Sequence, residues 1–221
     1  MTEQEVYKIV KPLLEGYTEG LFWDFKKVLY DTAEIIKDIL AFSNSNHEGD
    51  SYIIVGVSEP DNSDESNRIQ LTTEDRRRLN TDANYLYLPG TWKVNGLSSN
   101  DIEKMNKFSE TLTSKLSASM LISQPKCEFY PISIRKNLWL YVIVIKPVPG
   151  VFISKKDITK DTNSEKVVVK QGVLYVRIAD TTTIGSDTIV ASATEYIRVW
   201  KKYIDWLDSH EFPKLAEGCN A

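Results

Sequence analysis

The stretch SYIIVGV at residues 51–57 does most to limit what this chain can fold into. Its apolar residues run on without polar alternation, and a strand that shows one face to water alternates. The run therefore reads as a strand covered on both faces. Just before it, Asp31 and Glu34 stand at capping-box spacing ahead of IIKDILAF, which predicts a helix over about 32–44 packing through Ile35, Ile36, Ile39, Leu40 and Phe42. A further apolar, aromatic stretch, EGLFWDFKK at 19–27, precedes that helix and reads as a strand over 20–27. Strand, helix and strand at this spacing form a crossover unit, so the two strands are expected to be parallel and in one sheet.

The remaining elements follow from periodicity. Val6, Ile9, Val10, Leu13 and Leu14 define a helix over 3–14, with Gly16 as its stop. Residues 59–97 are polar and turn-rich and read as a long irregular insertion with a short helix near 74–79. Met105, Phe108, Leu112 and Leu116 keep helical spacing over 100–119. CEFYPISIR and LWLYVIVIK then form a hairpin through Lys136 and Asn137, and KVVVKQGVLYVRI a second one turning at Gln171-Gly172. A last helix over 187–207 presents Ile197, Trp200, Ile204 and Leu207. The expected fold class is α+β: a two-layer β-α-β-α-β-β core with a mixed sheet, an extra β-hairpin and a C-terminal helix. The expected organisation is an N-terminal helix at 1–16, one domain over 17–209 and a flexible tail at 210–221.

Composition narrows the function. A formal net charge of −4 argues against nucleic-acid binding through overall positive charge, though it leaves room for a local basic groove. Candidates are Lys26 with Lys27, the triplet Arg76, Arg77 and Arg78, Lys155 with Lys156, and Arg198 with Lys201 and Lys202. Two cysteines, Cys127 and Cys219, and two histidines, His47 and His210, lack zinc-ligand spacing and read as reduced thiols and isolated imidazoles. The longest apolar run, at 138–145, is well short of the ~20 residues of a membrane span, and the first residues do not resemble a signal peptide. A cytoplasmic location without membrane attachment is the expectation. No GxxxxGK[ST] phosphate loop is present.

In the first strand, Leu21, Trp23 and Phe25 share one face, taken as the core side, while Phe22, Asp24 and Lys26 share the other, with Asp24 and Lys26 about 7 Å apart. A carboxylate and an ammonium at this spacing suit a metal-dependent phosphodiesterase site, where an oxygen binds the cation and a positive charge meets phosphate. An ion pair on a solvent-facing strand, worth at most ~1 kcal/mol, explains the same spacing. Glu19 could reach the same end of the sheet, and Glu59, with Asp61 as a spare, follows the second parallel strand, where ligand crevices form. The loop NSNHEGD at 44–50 reads either as amides approaching a phosphate or as a helix cap and turn.

Three stretches together, EGLFWDFKK, IIKDILAFSNSNHEGDSYIIVGVSE and VLYVRIADTTTIGS, resemble the Schlafen AlbA-type domain family over about residues 15–205. The resemblance implies an Alba-like α+β fold, a nucleic-acid-binding role and, for some members, endoribonuclease activity with Mg or Mn held by three carboxylates. Those carboxylates fall on Glu19, Asp24 and Glu59, and the accompanying lysine on Lys26. Asp24 stands where Glu is usual in the family and Glu59 where Asp is usual; the paired glycines expected after the Asn are replaced by HEGD. Lys27, Arg76, Arg77 and Arg78 are the first backbone-binding candidates. Two other classes compete: a non-catalytic nucleic-acid or protein adaptor in which the acids are structural, and a nucleotide-binding regulator with a concave pocket beside the 44–50 loop.

Overall fold

A computed structural model describes residues 1–15, 20–29, 31–58, 68–82, 85–87, 93–162, 164–180 and 185–210. In chain order its elements are α1 (Glu3–Glu15), β1 (Trp23–Lys26), α2 (Thr32–Ser43), β2 (Ser51–Val55), β3 (Val57–Ser58), β4 (Arg68–Gln70), α3 (Thr73–Arg78), β5 (Tyr85–Tyr87), β6 (Lys93–Val94), α4 (Ser99–Ser119), β7 (Lys126–Arg135), β8 (Leu138–Lys146), β9 (Ile158–Thr159), β10 (Val167–Val169), β11 (Tyr175–Asp180), β12 (Gly185–Val190) and α5 (Ala193–His210).

The central sheet runs β1-β2-β8-β7, with β1 parallel to β2 and the other pairs antiparallel. This is the crossover unit expected from the sequence, extended by the β7–β8 hairpin. Asn137, at φ 62°, supplies the left-handed position its two-residue turn needs. β2 is buried at every position, so SYIIV is the covered strand its composition implies. Gly56, at φ 105°, then redirects the chain into β3, a conformation that disfavours any side chain.

Alternation along β2 sends its residues into two different cores. Ile53 and Val55 join Ile143 and Ile145 beneath α2 and α4, which contribute Ile36, Ile39, Leu112 and Leu116. Tyr52 and Ile54 join Val142 and Val144 on the opposite face, against Val6, Tyr7, Val10 and Leu14 of α1. Helices therefore cover both faces, and the two-layer expectation is one layer short: the amphipathic stripe of α1 needs a sheet face of its own. The fold is mixed α+β with a mixed sheet and five helices among the described residues.

Three further expectations change. The described residues of the 59–97 insertion form regular elements: β4 pairs with β5, β6 pairs with β3, and Thr72 and Asp75 close a capping box on α3. β10 and β11 do not pair with one another; β10 pairs with β9, and β11 with β12. The segment 185–190 is thus a strand, and α5 begins only at Ala193. Helix α5 buries Val199, with Tyr196, Trp200 and Tyr203 against the β11 side, while Ile197 and Ile204 are exposed. Among the described residues no helix is long and apolar enough to cross a membrane.

Candidate functional site

The site is organised by β1, an edge strand. Just ahead of it the chain folds back tightly: the Gly20 amide donates to the Trp23 carbonyl at 3.2 Å, and the Trp23 ring lies over residue 20. A Cβ at Gly20 would sit 2.0 Å from that ring, so only glycine leaves room for it. The ladder to β2 begins just ahead of β1, where the Tyr52 amide donates to the Phe22 carbonyl at 2.8 Å. The outward edge is covered by a side chain from far along the sequence. Arg177, on β11, donates through Nε to the Gly20 carbonyl at 3.1 Å and through Nη2 to the Trp23 carbonyl at 3.3 Å. This blunts an edge that would otherwise be open to pairing.

The same guanidinium lies 3.2 Å from Asp24 Oδ1 and 4.6 Å from the centre of the Phe42 ring. Lys26 Nζ meets Asp24 Oδ2 at 2.6 Å and Asp38 Oδ2 at 3.2 Å, and Thr188 on β12 donates to Asp38 Oδ1 at 3.1 Å. Among the described residues, two carboxylates and two cations thus alternate in one network, and their formal charges cancel. The side chains of Asp24 and Arg177 are 4% and 3% exposed, whereas Lys26 keeps a third of its surface open. Burial alone would push the Lys26 ammonium down, but Asp38 and Asp24 outweigh it and hold it above the usual lysine value. Burial, with the charge of Asp24 behind it, raises the Asp38 carboxyl against the pull of Lys26 and Arg177.

The ion pair read from D-x-K spacing is therefore present, but not on a solvent-facing strand. Asp24 and Lys26 sit in register with Ile53 and Val55, on the α2 face. β11 and β12 close over that face, because Arg177 and Thr188 complete the network. Sequence reasoning assigned no role to Arg177 or Asp38. The available signals were a charged residue inside the apolar run VLYVRI and the adjacent Lys37 and Asp38 within IIKDILAF.

Of the expected metal ligands, Asp24 alone is described; Glu19, Glu59 and the spare Asp61 lie outside the described residues. Mg or Mn would need anionic oxygens turned toward a vacant coordination position. Among the described residues Asp24 meets two cations at hydrogen-bonding distance, Lys26 and Arg177, and a divalent ion bound there would have to displace one of them. Among the described residues no group of three or more His, Cys, Asp or Glu is placed to hold a metal.

Lys27 is exposed immediately after β1. The arginine triplet is elsewhere. Arg76, Arg77 and Arg78 form the last turn of α3, flanked by Leu71 and Leu79, which pack with α1 on the sheet face opposite Asp24. Arg78 is engaged there by the Ser133 carbonyl.

The 44–50 loop is anchored as a helix end. Asn44 caps α2, its side chain donating to the Phe152 and Tyr175 carbonyls at 2.8 and 3.0 Å. His47 stacks on Phe22, ring centres 4.5 Å apart, and Phe22 meets Trp23 edge-on at 4.6 Å. Beside this loop opens a cleft of about 670 Å³ lined by Phe22, Trp23, His47, Arg177 and Arg198. Arg177 is thus shared between the ion network and the cleft wall. Arg198, from α5, is steadied by Glu195 and by the Asn44 carbonyl.

A search of the curated proteins finds no match. A family model described as Schlafen, AlbA_2 matches residues 19–184, about three quarters of the chain and the span that carries β1, α2, β2 and β11. On that match the chain belongs to the Schlafen AlbA_2 family.

Proposed function

We propose that this protein is a nucleic-acid-binding module whose binding face is built from the start of β1, the 44–50 loop and α5, with Asp24 acting as a structural brace for that face. Family membership supplies the nucleic-acid direction. The observation that carries the structural role of Asp24 is its burial between Lys26 and Arg177, which ties β1 to β11 beside the cleft. Lys27 and the exposed Lys201 and Lys202 add cations for backbone phosphates. In the nuclease alternative, Glu19, Asp24 and Glu59 hold Mg or Mn, and Asp24 must give up a cationic partner to do so.

The test is incubation with structured RNA and with single-stranded DNA, in Mn²⁺ or in EDTA, using wild type, Asp24→Asn and Glu59→Gln. The expected outcome is binding that weakens with salt, indifferent to EDTA, with the nucleic acid intact. Mn²⁺-dependent cleavage abolished by both substitutions, in variants that melt like wild type, would replace this reading with the nuclease one.

A further inference from the structure

The cleft has a chemistry of its own. Its walls are aromatic and aliphatic: Phe22, Trp23 and His47 on one side, with Leu21 and Ile178 exposed at 45% and 37%. Its two arginines are already neutralised, Arg177 by Asp24 and Arg198 by Glu195. A neutral, aromatic cleft selects a flat uncharged ring rather than a phosphate, because stacking and not net charge is what it offers.

Two lining residues carry buried polar atoms without a hydrogen-bond partner among the described residues, Trp23 Nε1 and Arg198 Nη1. Both are donors and neither can accept. Arg198 is held through its other nitrogens, by Glu195 at 2.7 Å and by the Asn44 carbonyl at 3.1 Å. Nη1 is thus the one nitrogen of that guanidinium without a partner among the described residues, on a plane already fixed by the other two. A ligand that satisfies these donors must bring acceptors. Among nucleobases, guanine presents N7 and O6 side by side on one edge, the pair arginine most often reads, whereas adenine replaces O6 with a donating amine.

Resting on the nucleic-acid reading above, we infer that this cleft receives a single unstacked nucleobase with an acceptor-rich edge, guanine before adenine. The base comes either from a free nucleotide or from a single strand. Its ring lies against the Phe22–Trp23–His47 wall and its acceptors turn toward Arg198 and Trp23. Duplex with all its bases stacked cannot enter.

Calorimetric titration of the full chain with GMP, with AMP, with a single-stranded RNA hexamer containing one guanine, and with a blunt RNA duplex tests this. GMP is expected to bind about tenfold tighter than AMP, within the discrimination that one well-placed pair of hydrogen bonds supplies. Phe22→Ala is expected to weaken GMP by about tenfold through lost stacking. Arg198→Gln, and separately Trp23→Phe, which keeps a ring over Gly20, are expected to erase the preference for GMP over AMP; thermal melts verify that each variant folds. A hexamer that binds at least ten times tighter than GMP identifies the strand as the source of the base; equal affinities identify the free nucleotide. Salt-sensitive binding of hexamer and duplex alike, with no GMP signal, overturns the base cleft and leaves nucleic-acid binding standing. Absence of binding to every nucleic acid overturns both.

Discussion

Among the described residues Asp24 has two cationic neighbours within 3.2 Å, and it is buried. Removing Arg177 leaves the buried Asp24 carboxylate to Lys26 alone and uncovers the Gly20 and Trp23 carbonyls, so Arg177→Ala is expected to cost about 3 kcal/mol in urea unfolding. Asp24→Ala should cost a similar amount, and the double variant less than the sum, since the second deletion removes the charge that the first stranded. Gly20 has a different constraint. Gly20→Ala places a methyl inside the Trp23 ring's position, and the overpacking is expected to cost about 1–3 kcal/mol. Near-ultraviolet circular dichroism should change with it, because a tryptophan moves. The D-x-K pair was legible because a strand's period of two puts both residues on one face. Arg177 was not, because it reaches Asp24 from 153 positions away, and spacing rules act only locally.

At the scale of elements, the N-terminus of α2 shows how local and distant residues share one task. Asp31 caps the helix by accepting from the Ala33 amide at 2.9 Å, as its position ahead of IIKDILAF implies. Glu34, which stands at the capping-box position, pairs instead with Lys160 at 2.8 Å. Asp161 completes the end, accepting from the Thr32 amide and hydroxyl at 2.9 and 2.6 Å and pairing with Lys115. Burial acts to raise the Asp161 carboxyl, but the bonds from Lys115 and Thr32 outweigh it and hold it below its ordinary value of 3.8. A folded pKa below the unfolded one means the unfolded chain takes up the proton first. The stabilisation is therefore complete above the unfolded value and lost as pH falls through the folded one. Asp161→Asn is expected to lower stability by about 1 kcal/mol near neutral pH and to flatten the loss of melting temperature below pH 4. The turn at Gln171-Gly172 was legible, with Gly172 at φ 70°, but the pairing of its flanking strands was not. Both flanks are apolar runs that leave the choice of partner open, and the tertiary structure pairs them with β9 and β12.

For the whole molecule, charge decides the strength and salt response of binding. With a net charge of −4 and a self-neutralised cleft, few phosphates can be met. About two phosphate contacts would give a log–log salt slope near −1.4 on a single strand. A much steeper slope, measured by fluorescence anisotropy, would show that cations such as the arginine triplet on the far face of the sheet take part. Lys27→Ala is expected to weaken binding evenly across sequences and make the slope shallower, as loss of a phosphate contact does.

The sequence by itself determined the parallel β1–α2–β2 unit, the hairpin beyond it and the family. The elements follow from periodicity, capping and short connections, which act between residues a few positions apart, and the family from the match of motifs along residues 19–184. Only the tertiary structure decided that the Asp24 face is a covered one, that Arg177 and Asp38 complete its charges, and that the arginine triplet lies across the sheet from it. A buried charge is defined by what surrounds it, and for Asp24 those surroundings come from three separate stretches of chain brought together by the closing of α2, β11 and β12 over one edge strand.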